Sequence, residues 1–164
     1  MFISAIGQDS HRFEPQSSQK PLILGGVTIP NAPGLSGNSD ADVILHAVTN
    51  AVSGITGVNI LGKISDDLCL KQGITDSRVY LQKALETLGS WSLTHVSISI
   101  EAKTPHLSNH IPKIKESLAS LLSLSQNNIG LTATTGEGLT AFGQGEGIQA
   151  FVIISAVNTT VLSA

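Results

Sequence analysis

The chain's 164 residues suit a single domain, which at that length buries about two-thirds of its unfolded surface; 41% are apolar, only 4% aromatic and 13% charged. The core must therefore be built from Val, Ile, Leu and Ala, and a surface so poor in charge points to an oligomer contact. A formal charge of -3, with no basic stripe or aromatic ladder, argues against a nucleic-acid partner, and the single cysteine, Cys69, excludes an internal disulfide.

Cys69 is expected to be an inert apolar residue. The apolar stretch Phe151 to Val157 is too short to span a bilayer, and the N-terminus has no basic region followed by an apolar segment. The expectation is a soluble, cytoplasmic protein without a membrane partner. No repeat, low-complexity block or linker divides the chain, so 1–164 is read as one domain.

In chain order, a strand is predicted from about Phe2 to Gln8, then an exposed polar loop at Gln16 to Lys20. The Gly-Gly-interrupted apolar segment Leu22 to Ile29 suggests a hairpin. Asp40 is placed to cap a helix over Ala41 to Val52, with Val43, Ala47, Val48 and Ala51 at helical spacing. A second helix, Asp76 to Leu88, starts on a capping aspartate, and a strand, His95 to Glu101, follows. Pro112 in a first turn predicts a third helix to about Leu122, because that position lacks a partner for its amide anyway. Strands at Asn128 to Thr134 and Gly147 to Val157, joined by a glycine-rich loop, complete an α/β or α+β sandwich.

Three segments carry chemistry. In Asp9-Ser10-His11, residues two apart in an extended chain project to one side, so carboxylate and imidazole can converge on one cation. The same pattern also occurs as an ordinary surface pair. His46 lies on the first helix with Asp42 and Asn50 one turn either side, forming a polar row. Joined to Asp9 and His11 it would complete a His/His/Asp set with an open fourth position, as catalytic zinc uses. Finally, Thr134-Thr135-Gly136-Glu137-Gly138 and Gly143-Gln144-Gly145-Glu146-Gly147 offer hydroxyls, freely turning amides and a carboxylate for a diphosphate with a hard divalent cation. A flexible connection reads equally well from composition, since no P-loop lysine or dinucleotide fingerprint is present.

Taken together, Gly7-Gln8-Asp9-Ser10-His11, Leu24-Gly25-Gly26-Val27-Thr28-Ile29-Pro30, Ser39-Asp40-Ala41-Asp42-Val43 leading to His46-Ala47, Asp76-Ser77-Arg78, His110-Ile111-Pro112, and Ala133-Thr134-Thr135 through Gly145-Glu146-Gly147 are collinear. In this order they resemble the 2-C-methyl-D-erythritol 2,4-cyclodiphosphate synthase family over nearly the whole chain. The resemblance implies an α+β fold, with one mixed sheet, helices packed on one face, and a homotrimer whose sheets surround a three-fold axis. It implies cyclisation of 4-diphosphocytidyl-2-C-methyl-D-erythritol 2-phosphate with release of CMP, in non-mevalonate isoprenoid synthesis. No protein nucleophile is needed, which fits a site made of metals, hydroxyls and amides.

By the same resemblance, Asp9, His11 and His46 hold Zn2+, and Glu137 holds Mg2+ or Mn2+ on the cytidine diphosphate moiety. Asn38 and Thr135 are the catalytic positions. Ser39 and Thr134 contact phosphates; Ala102, Pro105, His106 and Leu107 receive the cytidine end; Gly62 and Asp67 approach the methylerythritol; Ser10, Phe142 and Gln144 also face substrate.

Several positions depart from the family. Asn38 stands for a histidine, His106 for a lysine, Asn50 for an aspartate, and the segment Asn59 to Lys63 lacks an Asp-Ile-Gly pattern. Gln8 replaces an aromatic residue and Gln144 an arginine on the family's axial cavity, which implies weak or absent binding of isoprenoid diphosphates. A catalytically weakened trimeric homologue acting as a binding or scaffold protein is the main alternative. A zinc hydrolase is the third reading, with Asp40 or Asp42 as its only local general base.

Overall fold

The computed structural model describes residues 1–161, excepting the side chain of Val161. Strands β1 (Phe2–Arg12), β4 (Trp91–Glu101), β5 (Ile129–Thr134) and β6 (Gly147–Asn158) form one mixed sheet in the order β1-β6-β4-β5. Strand β6 is antiparallel to both β1 and β4, while β4 and β5 run parallel. The short strands β2 (Pro21–Leu24) and β3 (Val27–Pro33) form a separate hairpin. Its turn is Gly25-Gly26, both at positive φ (60° and 77°), a conformation glycine adopts without Cβ strain.

Alternation along the strands gives the sheet two unlike faces. Val96, Ile98, Ile100, Ile148, Ala150, Val152, Ile154 and Ala156 are buried under the helices. Phe2, Ile6, Phe151 and Ile153 lie on the other face and are exposed, Ile6 and Ile153 as a direct cross-strand pair. Helix α1 (Val43–Thr56) lies across β1 and β6, and its buried side chains include Val43, Ala47, Val48, Ala51 and Val52. It comes close because Gly7 of β1 has no side chain: a Cβ there would sit 2.0 Å from the Ala47 carbonyl oxygen.

A short helix α2 (Lys63–Asp66) runs into a π-helical turn, Asp67–Lys71, which the sequence pattern did not predict. Helix α3 (Ser77–Leu85) packs on α1 and is capped by Asp76, as expected. Helix α4 (Ile111–Leu122), with Pro112 in its first turn, packs on β5, and the glycine-rich loop contains helix α5 (Ala141–Gln144). No described helix is long and apolar enough to cross a membrane.

Two expectations change. Strand β1 continues to Arg12, so Asp9 and His11 lie inside a strand paired with β6 and not beyond its end. The cap of α1 is Asp42, not Asp40. The fully buried Asp42 carboxylate accepts from Ile44 and Leu45 in the first turn of α1 and from the Gly25 and Gly26 amides of the hairpin turn. One side chain thus satisfies a helix start and fastens the hairpin to it.

Candidate active site

Asp9 and His11 sit two apart on the helix-covered face of β1, opposite Ala150 and Ile148 of β6. Gly7, two residues earlier on that face, lets α1 approach until His46 meets them. His46 Nδ1 lies 3.0 Å from Asp9 Oδ2 and 3.3 Å from His11 Nε2, and His11 Nε2 is 2.9 Å from the same Asp9 oxygen. His11 donates from Nδ1 to the Ser36 carbonyl at 2.8 Å, which turns Nε2 inward. Nε2 of His46 meets the Ser77 hydroxyl at 2.8 Å.

One carboxylate oxygen and two imidazole nitrogens, all within 4.8 Å of one another, form a donor set suited to a borderline-soft divalent ion such as zinc. Burial raises the Asp9 carboxyl, but the hydrogen bonds from both histidines outweigh it and hold the group down at about 2. Burial likewise depresses His11, and its bond to Asp9 with that carboxylate's charge more than reverses this, lifting the ring above its usual value. The cluster thus keeps one ionised carboxylate oxygen beside two imidazole nitrogens, the donors a divalent cation would take in place of the histidine protons.

The triad opens into a cleft of about 220 Å³ that Asn38, Ser39, Leu61, Ser65, Asp66, Cys69 and Tyr80 help to line. Cys69 is partly buried against the hydrophobic core, as an apolar residue would be, and it also borders this cleft, its thiol donating to the Asn38 carbonyl at 3.3 Å. Gly62 is exposed next to this cleft's Leu61, and Asp67 pairs with Lys71 at 2.7 Å; neither lines the cleft. Asn50 donates its side-chain amide to the Gln8 carbonyl and stands apart from the metal row.

The other predicted residues gather elsewhere. Ala102, Pro105, His106, Leu107, Thr134 and Thr135 line a cleft of about 130 Å³ at the ends of β4 and β5. Glu137 is exposed, held in the left-handed region (φ 51°, ψ 23°), with its carboxylate 3.5 Å from the Thr135 hydroxyl. Ser10 and Phe142 share a third cleft with His11, Arg12 and Glu146, and Gln144 donates to the Gly138 carbonyl. The metal cleft therefore lies at the β1 edge of the four-stranded sheet and the other cleft at the ends of β4 and β5 towards the opposite edge, the β1 and β5 strands being about 14 Å apart at ordinary strand spacing.

The model of the YgbB family matches residues 2–157. The 2-C-methyl-D-erythritol 2,4-cyclodiphosphate synthase of Chlamydia trachomatis serovar L2b (strain UCH-1/proctitis) is 47% identical over 151 residues, 92% of this chain and 85% of that one. The chain belongs to this family. A solved 2C-methyl-D-erythritol-2,4-cyclodiphosphate synthase superposes with a TM-score of 0.84 at 32% identity, covering 94% of this chain and 100% of that one. A further synthase structure, in a form bound to CDP, gives 0.77 at 30% identity over 94% of this chain and 100% of its own. The α+β fold of one mixed sheet with helices packed on it, and the family resemblance, both drawn from the sequence, stand.

Sequence reasoning missed Gly37, Ser65, Asp66 and Tyr80 in the metal cleft, the Ser36 carbonyl that holds His11, and the contact of Ser77 with His46. Only Ser77 carried a signal, as the middle of Asp76-Ser77-Arg78.

Proposed function

We propose that the chain catalyses the metal-dependent cyclisation of 4-diphosphocytidyl-2-C-methyl-D-erythritol 2-phosphate to the 2,4-cyclodiphosphate, releasing CMP in non-mevalonate isoprenoid synthesis. The observation that carries this reading is the meeting of Asp9, His11 and His46 at the head of a cleft containing Asn38 and Ser39, in a chain of this family. Asp9, His11 and His46 would hold Zn2+, and Glu137 Mg2+ or Mn2+ at the diphosphate; such ions polarise phosphoryl oxygens and neutralise their charge.

An oxygen of the substrate's 2-phosphate attacks the β-phosphorus, the bond from that phosphorus to the bridging oxygen breaks, and CMP leaves with that oxygen. No protein nucleophile takes part, so the chain's work is positioning and charge stabilisation. Asn38 and Ser39 orient the phosphates beside the triad. Thr134 and Thr135 steady the transferring phosphorus, and Ala102 through Leu107 enclose the cytidine. Ser10, Gly62, Asp67, Phe142 and Gln144 remain substrate contacts of this proposal.

One substrate must reach both halves of the site, yet in one protomer these halves occupy opposite sheet edges. This supports a homotrimer in which neighbouring subunits complete each site, and the exposed Phe2, Ile6, Phe151 and Ile153 supply an apolar face for it. A core shared by all the main elements supports reading the chain as one synthase domain. A zinc hydrolase gains no support, because Asp42 is buried under four amides and Asp40 accepts from Ser77 and Asp42.

Phosphorus NMR of the zinc-loaded protein with magnesium and substrate tests the activity. Cyclodiphosphate and CMP should appear together, and neither with His46→Ala. Intact substrate with the wild-type protein would instead favour the weakened binding homologue, a reading that Asn38 in place of histidine motivates. Light scattering at three chain masses checks the trimer.

A further inference from the structure

The two histidines of the metal cluster are steadied differently. His11 is held by a backbone carbonyl, that of Ser36. His46 is held by a side chain: Nε2 meets Ser77 Oγ at 2.8 Å, in a site where Ser77 is fully buried and His46 only 8% exposed. Ser77 Oγ in turn donates to Asp40 Oδ1, and the Ser77 backbone amide donates to Asp40 Oδ2 at 3.0 Å.

Donor accounting fixes the sense of this chain. A carboxylate only accepts, so the Ser77 hydroxyl proton goes to Asp40. The hydroxyl oxygen can then face His46 only as an acceptor, and the Nε2 proton must lie between them. The remaining ring nitrogen, Nδ1, is the one aimed at Asp9 and His11. Asp40 is itself anchored, since Oδ1 also accepts from the Asp42 amide and its own amide donates to the Thr75 carbonyl at 2.8 Å. The anchor thus joins the loop before α1 to the start of α3.

We propose that Ser77 and Asp40 are positioning residues that lock the His46 ring with Nδ1 presented to the metal. This rests on the metal-site reading above. An outer-shell partner of a ligating histidine fixes its tautomer and ring orientation, and losing such a partner typically weakens metal binding about 10–100-fold.

The test is zinc affinity by chelator competition for wild type, Ser77→Ala and Asp40→Asn, with NMR of the zinc-loaded protein labelled with 15N at histidine. The expected result is ligation of His46 through Nδ1, a slowly exchanging Nε2 proton in wild type, and an affinity loss of about tenfold or more in Ser77→Ala with faster exchange of that proton. Asp40→Asn should fall between the two. Ligation through Nε2, or a Ser77→Ala affinity within about twofold of wild type, overturns the relay while leaving the metal site intact. Failure of the wild-type protein to take up zinc overturns the metal reading, and the relay with it. Circular dichroism checks the fold of each variant. Should Ser77→Ala not fold, the wild-type ligation mode and proton exchange decide alone.

Discussion

Replacing Gly7 with alanine tests how the metal cluster is assembled. The added Cβ would lie 2.0 Å from the Ala47 carbonyl oxygen, 2.5 Å from the Ala51 amide nitrogen and 3.0 Å from the Ala51 Cβ. The first two are backbone atoms inside a helix, so no rotamer change relieves the clash. To restore contacts of about 3.4 Å, α1 must retreat from β1 by more than about 1 Å, unpacking a face that includes Val48 and Val52. Overpacking alone typically costs about 1–3 kcal/mol, and a clash against two backbone atoms belongs at the upper end, about 3 kcal/mol. For a chain of this size that lowers the melting temperature by about 6–12 °C. The same retreat carries His46 away from Asp9, so zinc affinity should fall in parallel. Urea denaturation of the metal-free protein gives the first quantity and chelator competition the second. A Gly7→Ala protein within about 1 kcal/mol of wild type and with unchanged zinc affinity would show that α1 does not depend on this contact.

Asp42→Ala removes a cap worth about 1 kcal/mol and strands two hairpin amides at about 1–3 kcal/mol each, so urea denaturation should show a loss of about 3–7 kcal/mol; a loss below about 1 would refute the double anchoring. The metal-free protein should be most stable near about pH 4. Asp9, held at about 2 against an ordinary 3.8, contributes about 2 kcal/mol above pH 3.8 that is lost as pH falls towards 2. Asp42 is raised by burial to about 6, so its contribution, full below 3.8, is lost as pH rises through about 6; that of raised His11 is full below 6.5 and lost above its folded value. Thermal melts across that range check this, and a metal-free optimum above pH 7 would contradict the signs. Farnesyl diphosphate should give no calorimetric signal at micromolar concentration, because Gln8 and Gln144 supply neither an aromatic wall nor a guanidinium; tight binding would refute this.

Much of the fold could be read from periodicity, because β4, β6 and α1 bury regular apolar rows. The end of β1 could not: Asp9, Ser10, His11 and Arg12 look like a loop until β6 pairs with them. The choice of Asp42 over Asp40 as cap depended on the hairpin amides, which arrive from 16 and 17 residues away. The turns at Lys63–Lys71 have no clear apolar repeat and four residues of α2 are too few for one to show, so their contribution to the cleft was invisible. The metal triad was legible as three residue types, but only the absence of a side chain at Gly7 explains why strand and helix bring them together.

The division of the proposed site between opposite sheet edges makes its two halves separately mutable yet mutually rescuable. A gene copy disabled at His46 and another disabled at Thr135 would each encode an inactive protein. Co-expressed at equal levels and mixing at random, about a quarter of the subunit junctions would unite an intact metal half with an intact nucleotide half. Two null alleles would then complement each other within one cell, whereas two alleles damaged in the same half would not.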